Sequence, residues 1–165
     1  MALTLFNSFA KSDELWYIYV RLNFMTLSNS FKPKGTEMRI LVFQHIECEH
    51  PGMLRNYLAE NGVEWDVVEL DQGQPIPDLN PYDALWVMGG PMDVWDVEEH
   101  PWLIQEKEAI RLWVKELKRP YLGLCLGHQL LADALGGRCV PQKPPEIGIF
   151  QVELTEKGLN DPLFD

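Results

Sequence analysis

The chain has 165 residues, 46% apolar and 24% charged, with a formal net charge of −11; this is an ordinary globular composition with length enough for one domain and a real core. Residues 1–37 hold four Lys+Arg and three Asp+Glu while the remainder holds ten and 22, and a body this acidic excludes nucleic acid and anionic membrane as expected partners. Three cysteines at irregular spacing make no disulfide framework and fit a reduced cytoplasm, and no apolar run approaches the roughly 18 residues that a membrane-spanning helix needs.

Residues 1–37 carry aromatics such as Trp16, Tyr17 and Phe31 but no sustained period of two or 3.6. With no basic segment ahead of an apolar one, they make a poor signal peptide. A linker-like string then leads to Met38, where the pattern becomes clean. We expect Met38 to be the natural start and residues 1–37 to be an upstream extension; the alternative is an arm packed on the domain. From Met38 onward the chain is expected to form one partial domain.

Arg39–Gln44 reads as a strand buried on both faces. Residues 52–61 read as a helix with Met53, Leu54, Tyr57 and Leu58 on one side and Gly62 as its stop. Residues 65–70 form a second strand, 71–81 a Pro/Gly/Asp loop, and 84–88 a third strand ending at Gly89-Gly90-Pro91. Residues 101–118 form the longest helix, with Leu103, Ile110, Trp113, Val114 and Leu117 on one face and Lys115, Lys118 and Arg119 at the end where the dipole favours cations. Residues 121–124 are the fourth strand, followed by a helix to about Leu135 stopped by Gly136-Gly137, and residues 149–154 have strand character. Alternating strands and helices predict a doubly wound α/β fold, its sheet mostly parallel with helices on both faces. The ligand site should lie at the carboxyl ends of the strands, where residues 45–51, 89–100 and 125–128 converge.

Cys125 lies at a strand-to-helix junction in a Gly-x-Cys-x-Gly pattern. This is the nucleophile-elbow spacing with cysteine in place of serine. Flanking glycines permit the close backbone approach of a strained turn, and the helix N-terminus favours thiolate. The alternative is a small buried hydrophobe. Gly89-Gly90-Pro91 is either an ordinary strand-ending turn or half of an oxyanion hole, with one N–H from this loop and one from Leu126. His128, in the first turn after Cys125, points back along the helix and is a poor base; Gln129 faces the substrate side. His45, Cys48 and His50 lack a common zinc spacing and a fourth ligand, so a polar loop lining the site is expected rather than a metal centre. Cys139 is expected to be inert, and Trp86, Trp95, Trp102 and Trp113 to be core or pocket wall.

Three stretches carry a resemblance: Gly-Leu-Cys-Leu-Gly-His-Gln at 123–129, Val-Met-Gly-Gly-Pro at 87–91 with Met-Asp-Val-Trp-Asp after it, and Gly136-Gly137 before a Pro-rich loop and Glu146-Ile-Gly148. Over residues 38–165 the chain resembles class I, triad-type glutamine amidotransferases, and residues 44–52 look like stand-alone members similar to the amidotransferase domain of GMP synthase. The resemblance implies a flavodoxin-like fold and glutamine hydrolysis through a Cys125 thioester, with Gly90 and Leu126 as oxyanion donors and Gly89 and Gln129 binding substrate. It implies no metal or other cofactor, and ammonia delivery to a synthetase domain or subunit. The family's triad adds a His-x-Glu motif well downstream, whereas no histidine follows His128. We therefore expect a C-terminally truncated chain, inactive alone and prone to self-association through an incomplete sheet. The alternatives are a γ-glutamyl peptidase with the same chemistry and a non-catalytic regulatory module.

Overall fold

A computed structural model describes residues 38–141, 149, 151, 153–156 and 158–160. Four strands, β1 (Arg39–Gln44), β2 (Glu64–Glu69), β3 (Ala84–Val87) and β4 (Tyr121–Gly123), form one sheet in the order β2-β1-β3-β4. Every pairing is parallel, in registers that place Val42 beside both Val67 and Trp86, and Trp86 beside Leu122. The intervening helices are α1 (Leu54–Glu60), α2 (Trp102–Arg111) and α3 (Leu126–Ala134). Helix α2 runs on as a π-helical segment, Leu112–Leu117, that ends with Lys118 at φ 51°.

The two faces of the sheet are buried in separate clusters, as the two-residue period of a strand dictates. Ile40, Val42, Ala84 and Trp86 point to one face and pack with Leu58 of α1. Leu41, Phe43, Leu85 and Val87 point to the other, against Leu103, Ile110 and Trp113 of the long helix and Leu126, Leu130 and Leu131 of α3. Continuous apolar strands are therefore the expected signature, and β1 and β3 are buried along almost their full length.

Strand and helix bounds fall within a few residues of those read from the pattern, with three differences. In α1 only Leu58 is buried; Met53, Leu54 and Tyr57 are exposed. The helix is only seven residues long, and a single turn of it meets the sheet. Arg119 does more than face its own helix end. Its guanidinium donates to the carbonyls of Leu79, Asn80 and Tyr82 and lies 5.6 Å from the Trp113 ring, pinning the loop before β3. In the 149–154 stretch, Ile149, Gln151, Glu153 and Leu154 lie in no strand, since none of them pairs with a sheet edge; residues 150 and 152 lie outside the described set, as do Glu146-Ile-Gly148 and residues 1–37. Among the described residues, no helix is long and apolar enough to cross a membrane.

Phe43 has no solvent exposure and sits at the centre of the larger cluster. Phe43→Ala should cost about 3–5 kcal/mol in urea unfolding, whereas truncation of the exposed Tyr57 should cost well under half of that.

Candidate active site

The chain turns from β4 into α3 through Cys125, whose φ is +53° and ψ −109°. A residue with a Cβ rarely occupies that region, and holding it there costs of order 1–3 kcal/mol. The surroundings enforce it. Leu124 N–H donates to Val87 O at 2.9 Å, and Gly127 N–H to Met88 O at 3.1 Å, so the end of β4 and the start of α3 are both tied to β3. The buried Tyr121 hydroxyl donates to Gly127 O at 2.7 Å, and burial raises its phenol well above the ordinary value of 10. A side chain at Gly127 would collide with the Val87 carbonyl oxygen, and one at Gly123 would lie 2.7 Å from the Gly127 backbone. Both glycines flanking the cysteine are therefore required by contact.

The loops after β1, β3 and β4 meet at this turn. A methyl on Gly89 would lie 3.5 Å from Cys125 Cβ and 2.8 Å from a Glu49 carboxylate oxygen; one on Gly90 would lie 3.0 Å from Leu126 Cδ2 and 3.1 Å from His45 Cβ. The 89–100 loop is held from outside by Lys107, whose ammonium donates to Val94 O and Asp133, both at 2.8 Å. Cys125 is exposed at the meeting point. Among the described residues, neither the Gly90 nor the Leu126 N–H donates to any acceptor, so each of the two loops that meet at Cys125 holds an unbonded peptide donor. Gln129 and His128 are exposed on the first turn of α3.

The His45, Cys48 and His50 cluster does not form as one unit. Cys48 and His50 are exposed, with His50 Nδ1 accepting from Gly52 N–H at 3.0 Å. His45 is the correction to the polar-loop reading: it has no exposure. Its Nδ1–H donates to Gly89 O at 2.8 Å, its Nε2 lies 2.9 Å from Glu106 Oε1, and its ring stacks on Trp102 at 5.4 Å. Among the described residues, no group of three His, Cys, Asp or Glu could hold a metal. Cys139 is half-buried, its S–H donating to Gln129 O at 3.4 Å; burial, then the Asp133 charge, raise its thiol above the ordinary range. Trp86 and Trp113 are core, while Trp95 is 43% exposed.

Glu106 has no exposure either, and its second oxygen has no partner among the described residues. Sequence reasoning passed over it, although it interrupts the apolar stripe of α2 between Leu103 and Ile110, the signal of a buried partnered charge. Burial opposes charge on His45, but the hydrogen bond and charge of Glu106 and the Gly89 carbonyl outweigh it and raise the imidazole above 6.5. Burial likewise raises Glu106 against the pull of His45. Both shifts favour retention of the proton the pair shares.

Residues 46–163 match the family Glutamine amidotransferase class-I, so the chain belongs to that family. It is 33% identical over 105 residues to a subunit of the glutamine-hydrolyzing GMP synthase of Saccharolobus solfataricus, covering 62% of this chain and 53% of that one. It is 31% identical over 130 residues to the putative glutamine amidotransferase-like protein YfeJ of Salmonella typhimurium (76% and 54%). To gamma-glutamyl peptidase 4 of Arabidopsis thaliana it is 25% identical over 105 residues (62% and 41%). Among solved structures, a glutamine amidotransferase from Thermotoga maritima superposes with a TM-score of 0.59 at 31% identity, over 61% of this chain and 44% of that one. The chain spans about half the length of the curated relatives it matches, 53% and 54% of the first two.

Two outcomes follow. Gly127→Ala should displace the elbow from β3, so that Cys125 loses its distinct alkylation rate, read by peptide mass spectrometry against Cys48 and Cys139. The second concerns pH. The folded state holds the His45–Glu106 proton more tightly than the unfolded chain, so its stabilisation is complete below 6.5, the ordinary His value, and is lost as pH rises through the raised folded value. Thermal midpoints should therefore fall on raising the pH above 6.5. In Glu106→Gln the hydrogen bond to a carboxylate and its charge are both gone, leaving burial against the Gly89 carbonyl and Asp71, so the fall above 6.5 should shrink.

Proposed function

We propose that this chain carries the glutamine-hydrolysing chemistry of its family, with Cys125 as nucleophile. The thiolate attacks the side-chain carbonyl of glutamine. The tetrahedral oxyanion accepts hydrogen bonds from Gly90 and Leu126 N–H; collapse breaks the C–N bond as the nitrogen takes a proton from solvent water and leaves as ammonia, and a γ-glutamyl thioester remains for water to hydrolyse to glutamate and the free thiol. Gly89 and Gln129 line the substrate. No electron changes hands, so no redox cofactor is needed. The observation that carries this reading is the exposed Cys125 held at φ +53° on a turn that touches Gly89.

The likeness to a GMP synthase component supports an ammonia-accepting synthetase, in the same chain or in a separate one, as partner. Three free thiols support a reducing, cytoplasmic setting. His45 is buried with both nitrogens engaged by Gly89 and Glu106, and no histidine follows His128 in this sequence. Turnover by these 165 residues is therefore slow, and the thioester outlives the acylation step. The likeness to a gamma-glutamyl peptidase supports a second reading, in which the leaving group is the amine of a γ-glutamyl peptide.

Incubation with glutamine, an acid quench and mass spectrometry should show a γ-glutamyl adduct on the Cys125 peptide, with one ammonia released per adduct and none formed by Cys125→Ala. Faster acylation by a γ-glutamyl dipeptide than by glutamine would favour the peptidase. No adduct with either would overturn the assignment.

A further inference from the structure

The fully buried His45 has no part in the thioester chemistry, yet it is fastened to the loop that chemistry needs. A carbonyl oxygen only accepts, so the 2.8 Å contact with Gly89 O fixes a proton on Nδ1. The 2.9 Å contact between Nε2 and Glu106 Oε1 requires a second proton, on imidazole or carboxyl. Trp102, stacked at an interplanar angle of 11°, keeps the ring from turning. A trans peptide points its C=O and its N–H in opposite directions. Drawing the Gly89 carbonyl toward His45 therefore turns the Gly90 N–H away from it.

We infer that His45, held by Glu106, is a positioning residue that sets the Gly89–Gly90 peptide so that the Gly90 N–H meets the substrate oxyanion, and that it does so only while the pair keeps its shared proton. The inference rests on the oxyanion reading of Gly90. Once that proton leaves, the carboxylate of Glu106 is a stronger acceptor than a peptide carbonyl, and the remaining imidazole proton moves to Nε2. Nδ1 then presents a lone pair to Gly89 O, and the peptide is released.

The charged and titratable surroundings are few. Asp71, after β2, favours the proton on His45, and Lys107 opposes one on Glu106. Tyr121 of β4 is neutral and donates to Gly127 O. The exposed Glu49 lies beside Gly89, and His100 tilts against Trp102 at 5.6 Å. None of these replaces the proton between His45 and Glu106.

The test compares two reagents on Cys125, each read on its own peptide by mass spectrometry. Iodoacetamide alkylates a thiolate without forming an oxyanion. A glutamine analogue with a chloromethyl ketone in place of the amide adds at the carbonyl first, then forms the thioether as chloride leaves. Their rate ratio cancels the thiolate fraction and needs no catalytic base. In the native chain the ratio should favour the glutamine analogue and fall as pH rises above 6.5. His45→Leu should lower the ratio about tenfold or more, the scale of a misdirected oxyanion donor. His45→Asn, which can still donate to Gly89 O, should restore most of it. Glu106→Gln, whose amide donates to Nε2 and keeps the proton on Nδ1 at every pH, should abolish the decline. A native ratio with no preference for the analogue overturns the glutamine-site reading and this inference with it. A native preference unchanged in His45→Leu, or a pH decline that survives in Glu106→Gln, overturns this inference alone. The Glu106→Gln profile decides if His45→Leu fails to fold.

Discussion

The start of α3 is pressed against β3 with no space for a side chain between them. Gly127 fills the gap against the Val87 carbonyl, and its N–H and that of Leu124 bind the carbonyls at the end of β3. Everything at the candidate site follows from that approach. The chain must reverse within one residue, so Cys125 takes a left-handed φ and its side chain is left exposed. The loop that continues β3 must run past the same point, so Gly89 and Gly90 lie against Cys125 and Leu126. A parallel sheet supplies the third partner: β1 is adjacent to β3 in the order β2-β1-β3-β4 and ends level with it, delivering His45 beneath Gly90.

The outer helix α2 contributes two neighbouring residues of opposite charge that work on opposite sides of the 89–100 loop. Glu106 is buried and reaches the loop from below through His45; Lys107 reaches its Val94 carbonyl and the Asp133 carboxylate of α3. Consecutive residues on a helix face directions about 100° apart, so one helix can hold a loop at its base and at its flank. The long helix is thus a frame for the 89–100 loop as well as a cover for the sheet.

The architecture was legible because each of its levels has a strong local signal. Uninterrupted apolar runs marked β1 and β3, the alternation of strands with helices implied parallel pairing, and two glycines bracketing a cysteine marked the elbow. The convergence of three loops followed from topology alone. The failures have physical causes. A lone histidine in a polar loop reads as exposed, and only the register of β1 against β3 carries His45 inward. Glu106 was passed over although it interrupts the apolar stripe of α2, because the partner that explains it lies 61 positions earlier. The apolar stripe of α1 overstated its burial, because the stripe says which side faces the sheet but not how much of a seven-residue helix reaches it.

The left-handed backbone at Cys125 also bears on how such a position tolerates substitution over time. The residue that the proposed chemistry most needs is among those the fold holds at greatest strain, and glycine would relieve that strain while erasing the thiol. Selection for thermal robustness alone would drift this position toward glycine, and threonine or valine, branched at Cβ, would be resisted from the other side. A cysteine at this position therefore exchanges folding free energy for the exposure of its thiol, an exchange set by a backbone angle rather than by a contact.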